Sequence, residues 1–91
     1  MYTTAGQLEN IQTGMCLDAN SNNYPKNGDT IQLWGCDTNP EQIWEFDAAG
    51  QLKNTQSGTC LDANSNGYPN NGDNLQLWGC DTNAEQLWRF G

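Results

Sequence analysis

The chain has 91 residues, which suits one small domain with a thin core. Three Lys and Arg residues against 11 Asp and Glu residues give a net charge of −8, and there is no histidine. This acidic balance argues against nucleic acid and anionic membranes as partners. The lack of histidine also removes the commonest general base and the commonest metal ligand.

The chain contains an internal repeat with a period of 44 residues. Residues 6–46 align on residues 50–90 without a gap and with 11 mismatches in 41 positions. We therefore divide a single module of residues 1–91 into repeat one, residues 5–47, and repeat two, residues 49–91. The segment between the repeats is too short to be a flexible linker, so we expect the repeats to form one module.

In chain order, each repeat is predicted to contain four short strands separated by turns. In repeat one these strands are residues 6–11, 15–19, 30–34 and 42–46. A long polar loop over residues 20–29 contains Pro25 and Gly28, which disfavour regular structure. The sequence therefore predicts an all-β fold.

The alternation of residues 30–34 assigns their side chains to two faces. Ile31 and Leu33 are predicted to face the core, which directs Trp34 outward. By the same alternation Asp18 is expected to face outward, while Trp44 and the other aromatic residue of the fourth strand face the core. A large aromatic side chain on a solvent face calls for a functional reason.

The four cysteines of this short, histidine-free chain favour disulfides over a zinc site, and four cysteines allow three pairings. Disulfides imply an exported, extracellular protein. Residues 1–6 have no signal-peptide pattern, so we expect a mature form, or a recombinant form with an added Met1. No apolar run of about 18 residues occurs, so we expect no insertion into a membrane.

Three segments of each repeat resemble the ricin B-type lectin family. In repeat one they are Cys16-Leu17-Asp18, Gln32-Leu33-Trp34-Gly35-Cys36 and Gln42-Ile43-Trp44, and residues 60–62, 76–80 and 86–88 match them in repeat two. The resemblance covers about residues 7–90 and rests on the Gln-x-Trp motif, repeated with these Cys and Asp positions. It implies a β-trefoil fold, binding of sugars with galactose-type sugars favoured, no catalysis and no cofactor.

The resemblance also implies a role for individual residues. The aspartate accepts hydrogen bonds from two adjacent sugar hydroxyls, the first tryptophan stacks on the ring, and the first glutamine holds the aspartate or reaches the sugar. The family commonly has asparagine just before the second glutamine, where this chain has Glu41 and Glu85; either these residues or Asn39 and Asn83 take its role. The implied carbohydrate-binding residues are Asp18, Gln32, Trp34, Asn39, Glu41, Asp62, Gln76, Trp78, Asn83 and Glu85. The implied disulfides, one within each repeat, are Cys16–Cys36 and Cys60–Cys80.

Three other functions compete with sugar binding. Residues 18–29 and 62–73 nearly fit a calcium-loop pattern, but no helices flank them and each ends in Asp rather than the longer Glu. Glu41 and Glu85 with nearby aspartates offer paired carboxylates for a glycosidase, yet so small a module has no deep cleft to raise the pKa of an acid. The third alternative is a purely structural or engineered self-assembling repeat protein.

A β-trefoil needs three repeats, and this chain has two. Two repeats alone leave strand edges unpaired and one side of the core in water. We therefore expect self-association, with a trimer as the first choice because its six repeats make two trefoils if one chain opens between its repeats. The alternative is a closed dimer of four repeats. Either assembly makes the module multivalent for glycans.

Overall fold

The computed structural model of the chain describes residues 2–20, 25–64, 71–81 and 83–89. Over these residues the chain forms six short strands and two 3₁₀ turns, without an α-helix. The elements are β1 (Cys16–Ala19), β2 (Ile31–Trp34), the turn η1 (Pro40–Gln42), β3 (Trp44–Phe46), β4 (Leu52–Asn54), β5 (Thr59–Ala63), β6 (Leu75–Gly79) and the turn η2 (Ala84–Gln86). The described part of the chain has no helix with the length and apolar character needed to cross a bilayer.

Each repeat is built around one antiparallel hairpin, β1 with β2 and β5 with β6. The two hairpins have the same register, with Asp18 opposite Gln32 in the first and Asp62 opposite Gln76 in the second. Directly opposed residues share a face of a sheet. The hairpin therefore brings together an aspartate and a glutamine that lie 14 residues apart in the sequence.

The two repeats are joined by strand pairing across their boundary. β3 of repeat one pairs antiparallel with β4 of repeat two, and β4 continues the sheet to β5 and β6. In this junction Trp44 lies opposite Asn54, Glu45 opposite Lys53, and Phe46 opposite Leu52. The boundary is thus a packed sheet and not a flexible linker.

A small apolar core lies beneath the hairpins and the boundary sheet. Its buried members are Ala19, Trp44, Leu52, Leu61 and Leu77. Half-buried apolar residues pack against it, among them Ile31, Phe46 and Trp88. The core position predicted for Trp44 is confirmed. Phe46 is only half-buried, and Phe90, its counterpart in repeat two, lies outside the described residues.

Two disulfides close the hairpins, as the resemblance implied. Cys16 bonds to Cys36 and Cys60 bonds to Cys80, each with a Cα–Cα distance of 5.1 Å. The first bond joins the start of β1 to the segment just after β2, and the second joins the start of β5 to the segment just after β6. Both half-cystines at the strand starts are fully buried, so the bonds also fill space under the hairpins.

Two predicted strands, one near each end of the described chain, are wrong. Residues 6–11 form only isolated bridges, Tyr2 to Leu8 and Glu9 to Cys16, whereas the equivalent residues of repeat two form β4. β4 pairs with β3, whereas no strand of the described residues pairs with residues 6–11 in that way. For the same reason residues 87–89 form no strand, although their counterparts in repeat one form most of β3.

The inward position predicted for Leu33 is also wrong. Its side chain is 45% exposed, whereas the equivalent Leu77 is fully buried. Leu77 is covered by a loop of repeat one, since its N–H donates to the Asp29 carbonyl at 2.9 Å and its carbonyl accepts from the Gly28 N–H at 2.7 Å. Among the described residues, no loop makes the equivalent backbone hydrogen bonds over Leu33.

Candidate functional site

A polar cleft of about 450 Å³ opens on repeat one beside the β1–β2 hairpin. Five of the residues predicted to bind sugar line it together with two that were not predicted. The lining residues are Asp18, Asn20, Gln32, Trp34, Asp37, Asn39 and Glu41. The hairpin, the turn after the disulfide and η1 therefore converge on the site that the sequence indicated for repeat one.

The floor of the cleft is the carboxylate of Asp18. Gln32 Nε2 donates to its Oδ1 at 3.0 Å, and Gln42 Nε2 donates to its Oδ2 at 2.9 Å. Asp18 is only 3% exposed, so the expectation that it faces solvent is wrong. The two amides explain how a carboxylate is kept in so enclosed a place, because a buried acceptor must be hydrogen-bonded.

Gln42, which was not among the predicted site residues, makes the hydrogen bonds that hold the residues of the cleft in place. Its side chain is fully buried. Besides Asp18 it donates to the Gly35 carbonyl at 2.9 Å, and its Oε1 accepts from the Asp37 N–H at 2.9 Å. The first residue of the motif at 42–44 thus orients the carboxylate from below, and no ligand in the cleft can reach it.

The rim of the cleft combines one aromatic side chain with a polar turn. Trp34 is 59% exposed, as predicted. Across from it, Asp37 Oδ1 accepts from the Asn39 N–H at 2.9 Å, an Asx-type turn that leads into η1. Gln7 Nε2 donates to the Asp37 carbonyl and ties this turn to the start of the chain. The sequence marked Asp37 as a turn residue and as one of the paired carboxylates of the glycosidase alternative, but not as a sugar-binding residue, because its place in the cleft depends on the fold.

Glu41 is the unusual member of the site. It is 8% exposed, and its Oε1 is buried without a hydrogen-bond partner among the described residues. Burial raises the pKa of its carboxyl above the ordinary value of 4.5, and the nearby charges of Asp18 and Asp37 raise it further. Because Glu41 lines the cleft, this unpartnered acceptor is suited to accept a hydrogen bond from a ligand hydroxyl.

Repeat two reproduces the same polar arrangement. Gln76 Nε2 donates to Asp62 Oδ1 at 3.1 Å, and Gln86 Nε2 donates to Asp62 Oδ2 at 2.9 Å. Trp78 is 47% exposed, and Glu85 carries a second buried Oε1 that lacks a partner among the described residues.

In the turn before η2, the N–H of Asn83 donates to Asp81 Oδ1 at 2.9 Å, as in repeat one. Residues 65–70 and 82 lie outside the described residues.

The alternative calcium loops fall partly outside the described residues, which lack 21–24 and 65–70. Of the described carboxylates, Asp18 is held by two amides, and Asp29 accepts from the Lys26 N–H at 2.8 Å and from its Nζ at 3.1 Å. Within the described ranges, no group of three or more His, Cys, Asp or Glu side chains is placed to hold a metal ion.

Comparison with known sequences places these features in one family. The family model of the ricin-type β-trefoil lectin domain matches residues 4–91. A search of the curated proteins found no matching relative.

Solved structures give the same result. Hemolytic lectin CEL-III has a TM-score of 0.74 and 26% identity over 93% of this chain and 20% of its own. The agglutinin of Abrus precatorius has a TM-score of 0.71 and 26% identity over 87% of this chain and 28% of its own. The third structure is the β-trefoil lectin of Vibrio vulnificus hemolysin/cytolysin, solved with N-acetyl-D-lactosamine bound. It has a TM-score of 0.73 and 20% identity over 93% of this chain and 60% of its own, so this likeness shows the fold alone.

The chain therefore spans from one fifth to three fifths of the length of these structures. The all-β, β-trefoil-type fold predicted from the sequence is confirmed.

Proposed function

Because this chain belongs to the ricin-type β-trefoil lectin domain family, we propose that it is a non-catalytic carbohydrate-binding module with one sugar site in each repeat. The proposed sites are the cleft of repeat one and the matching residues of repeat two. The binding residues are Asp18, Gln32, Trp34, Asn39 and Glu41, and Asp62, Gln76, Trp78, Asn83 and Glu85.

The observation that carries the proposal is the pairing of an immobilised carboxylate with an exposed tryptophan in one cleft. A pyranose has an apolar C–H face, which packs on an aromatic ring, and hydroxyl groups that need planar acceptors. Trp34 supplies the exposed ring, and Asp18 supplies the acceptor. Two amides already hold the Asp18 carboxylate, so little side-chain entropy is lost when a sugar binds.

Glu41 adds a second acceptor to the proposed site. Its unpartnered Oε1 is a buried polar atom whose desolvation is uncompensated in the free protein. A sugar hydroxyl that donates to this atom removes that penalty. The orphaned oxygen favours Glu41 itself, rather than Asn39 alone, as the residue that takes the place of the family asparagine.

We assign galactose-type sugars to the site from the family resemblance. The absence of catalysis is supported by the open form of the site. Trp34, at the rim of the cleft, is 59% exposed, so the site is open to solvent on that side.

We also propose that the module is exported and self-associates. Two disulfides fit an oxidising compartment. Leu33, which is 45% exposed where its counterpart Leu77 is fully buried, fits a partner that completes the fold. A trimer forming two trefoils is the first choice and a four-repeat dimer the second. A trimer with two sites per chain carries six sites, which raises avidity for multivalent glycans.

Calorimetric titration with galactose and with glucose tests the sugar site. The double variant Trp34→Ala with Trp78→Ala is expected to bind galactose at least about tenfold more weakly, because the stacking surface is lost. The matched control, Trp34→Phe with Trp78→Phe, keeps an aromatic face and should retain most of the affinity. Unchanged binding by the alanine variant refutes the proposed sites, and a preference for glucose refutes the assignment to galactose-type sugars.

A further inference from the structure

The cleft of repeat one concentrates acidic groups at the proposed sugar site. Three of its lining residues, Asp18, Asp37 and Glu41, carry a carboxyl group, and none of the basic residues of the chain lines it. We propose that the preferred ligands are cationic amino sugars, in which a protonated primary amine replaces one hydroxyl group of a galactose-type ring, and that Glu41 and Glu85 determine this preference. The inference rests on the proposed sugar-binding function and names the class of sugar.

The carboxyl groups of the cleft act on one another. Burial raises the pKa of the Glu41 carboxyl, and the charges of Asp18 and Asp37 raise it further. Both aspartates are therefore close enough to repel a charge on Glu41. The two amides that bind Asp18 satisfy its oxygens but carry no net charge, so they leave this repulsion in place. A positively charged ligand group relieves it.

No basic side chain neutralises these three carboxyl groups within the described ranges. Lys26 binds Asp29, with 3.1 Å between Nζ and Oδ1. Lys53 lies opposite Glu45 where β3 pairs with β4. The negative charge of the cleft is therefore left for a ligand to neutralise.

The unpartnered oxygen of Glu41 favours an ammonium group over a hydroxyl. Oε1 of this 8% exposed residue has no hydrogen-bond partner among the described residues, and the same is true of Glu85 Oε1 in repeat two. A hydroxyl donates one hydrogen bond, whereas a protonated primary amine carries three N–H donors and a positive charge. One ammonium group can therefore bind Glu41 and a second acceptor of the cleft at once. Hydrogen bonds between ionised groups are also stronger than those of neutral donors.

Trp34 suits the same kind of ligand. Its side chain is 59% exposed and lines the cleft with the three carboxyl groups. Tryptophan is the aromatic residue that attracts a cation most strongly, at up to about 6 Å from the ring centre. It also packs against the apolar C–H face of a pyranose. A sugar with an ammonium group meets both properties of this side chain.

An organic cation fits the cleft better than a bare metal ion. In the part of the chain that the structure describes, no group of three or more His, Cys, Asp or Glu side chains is placed to hold a metal. Both oxygens of Asp18 already accept from amides, so a metal has to displace them. The volume of about 450 Å³ lies in the range of sites that hold small organic ligands.

Repeat two has the same set of groups. Asp62 and Glu85 are buried, and Asp81 Oδ1 accepts from the Asn83 N–H in the turn before η2. Trp78 is 47% exposed. We therefore expect the same preference in both repeats, and the variants that test it change both glutamates together.

Calorimetric titration at about pH 7, where most of the amine is protonated, tests the preference. The probes are galactose, galactosamine, 6-amino-6-deoxygalactose and N-acetylgalactosamine. At least one of the two amines should bind at least about tenfold more tightly than galactose, because the amine adds a charge-assisted hydrogen bond. N-acetylgalactosamine, whose nitrogen is uncharged, should not share this gain.

The double variant Glu41→Gln with Glu85→Gln keeps the size of both side chains and removes their charge. Its preference for the better amine over galactose should fall to about threefold or less. Glu45→Gln, which removes a charge from an exposed residue of β3 outside the cleft, is the control and should keep the wild-type preference.

Three results overturn the inference. They are binding of both amines no tighter than that of galactose, binding of N-acetylgalactosamine as tight as that of the better amine, and an unchanged preference in the double variant. Any of these in a protein that binds galactose contradicts the preference alone. Failure of all four sugars to bind refutes the proposed sugar site as well.

Discussion

The fully buried side chain of Gln42 holds the cleft from below, and we predict that Gln42→Met strongly destabilises the chain. Methionine has a similar size but can neither donate to Asp18 and Gly35 nor accept from the Asp37 N–H. One buried polar group, the Asp18 carboxylate, and two part-buried ones, the Gly35 carbonyl and the Asp37 N–H, then lose a partner at about 2.9 Å. The expected effect is a loss of stability rather than a local rearrangement.

The size of the effect follows from these three bonds. The bond to the Asp18 carboxylate contributes roughly 1.5–3 kcal/mol, and each of the two neutral bonds contributes about 1 kcal/mol. We therefore expect a decrease of about 4 kcal/mol in the free energy of unfolding. A domain of this length is stable by roughly 5–14 kcal/mol, so the variant keeps a measurable native state only if the wild type lies above the low end of that range.

Urea unfolding followed by tryptophan fluorescence measures the change. With a slope of roughly 1.5 kcal/mol per molar urea, the midpoint should fall by about 2–3 M. Gln86→Met should cause a similar fall, because Gln86 makes the same bonds in repeat two. Gln56→Met, in an exposed turn, is the control for the change of side chain. A midpoint within about 0.5 M of the control refutes the role of Gln42 in holding the residues of the cleft in place.

Three further changes have defined outcomes. Glu41→Gln should raise the free energy of unfolding by roughly 1 kcal/mol near pH 7 and leave it unchanged below about pH 4.5. Burial raises the pKa of Glu41, so the wild-type protein loses stability as the pH rises above 4.5 and this carboxyl ionises, whereas glutamine stays neutral. Thermal unfolding at both pH values checks this, and an equal effect at both contradicts it. Replacing Cys16 and Cys36 together by Ser should cost about 3 kcal/mol by urea unfolding, and a cost below 1 kcal/mol contradicts the disulfide's contribution. Leu52→Ala should cost about 2–4 kcal/mol, and Leu8→Ala clearly less, since Leu52 is fully buried in the core and Leu8 is only half-buried against it; equal costs would contradict this difference.

Local patterns were sufficient to predict the hairpins. The alternation at residues 30–34 placed a strand where β2 is found and directed Trp34 outward, because the period of two depends only on neighbouring residues. The family motif then identified the residues that converge on the cleft of repeat one. The internal repeat predicted that repeat two carries the same polar bonds, and Asp62 is held as Asp18 is.

The errors arose where a residue depends on a distant partner. Asp18 was expected in solvent, but Gln42, 24 residues away in the sequence, buries and holds it. Leu33 has the sequence pattern of a core residue, yet it lacks the loop contacts that bury its counterpart Leu77. The strand at residues 6–11 is missing for the same reason, because a strand at the edge of a repeat requires a partner that the local sequence does not contain.

The central claim, that sugars bind against the exposed tryptophans of the two repeats, is tested most directly by the indole N–H signals in a ¹H–¹⁵N titration with galactose. Trp44 and Trp88 donate their Nε1–H to backbone carbonyls at 3.1 and 3.0 Å beneath the hairpins, whereas Trp34 and Trp78 are exposed. The signals of Trp34 and Trp78 should shift with saturation while those of Trp44 and Trp88 stay in place. Saturable binding of galactose that leaves the signals of Trp34 and Trp78 unmoved contradicts the account.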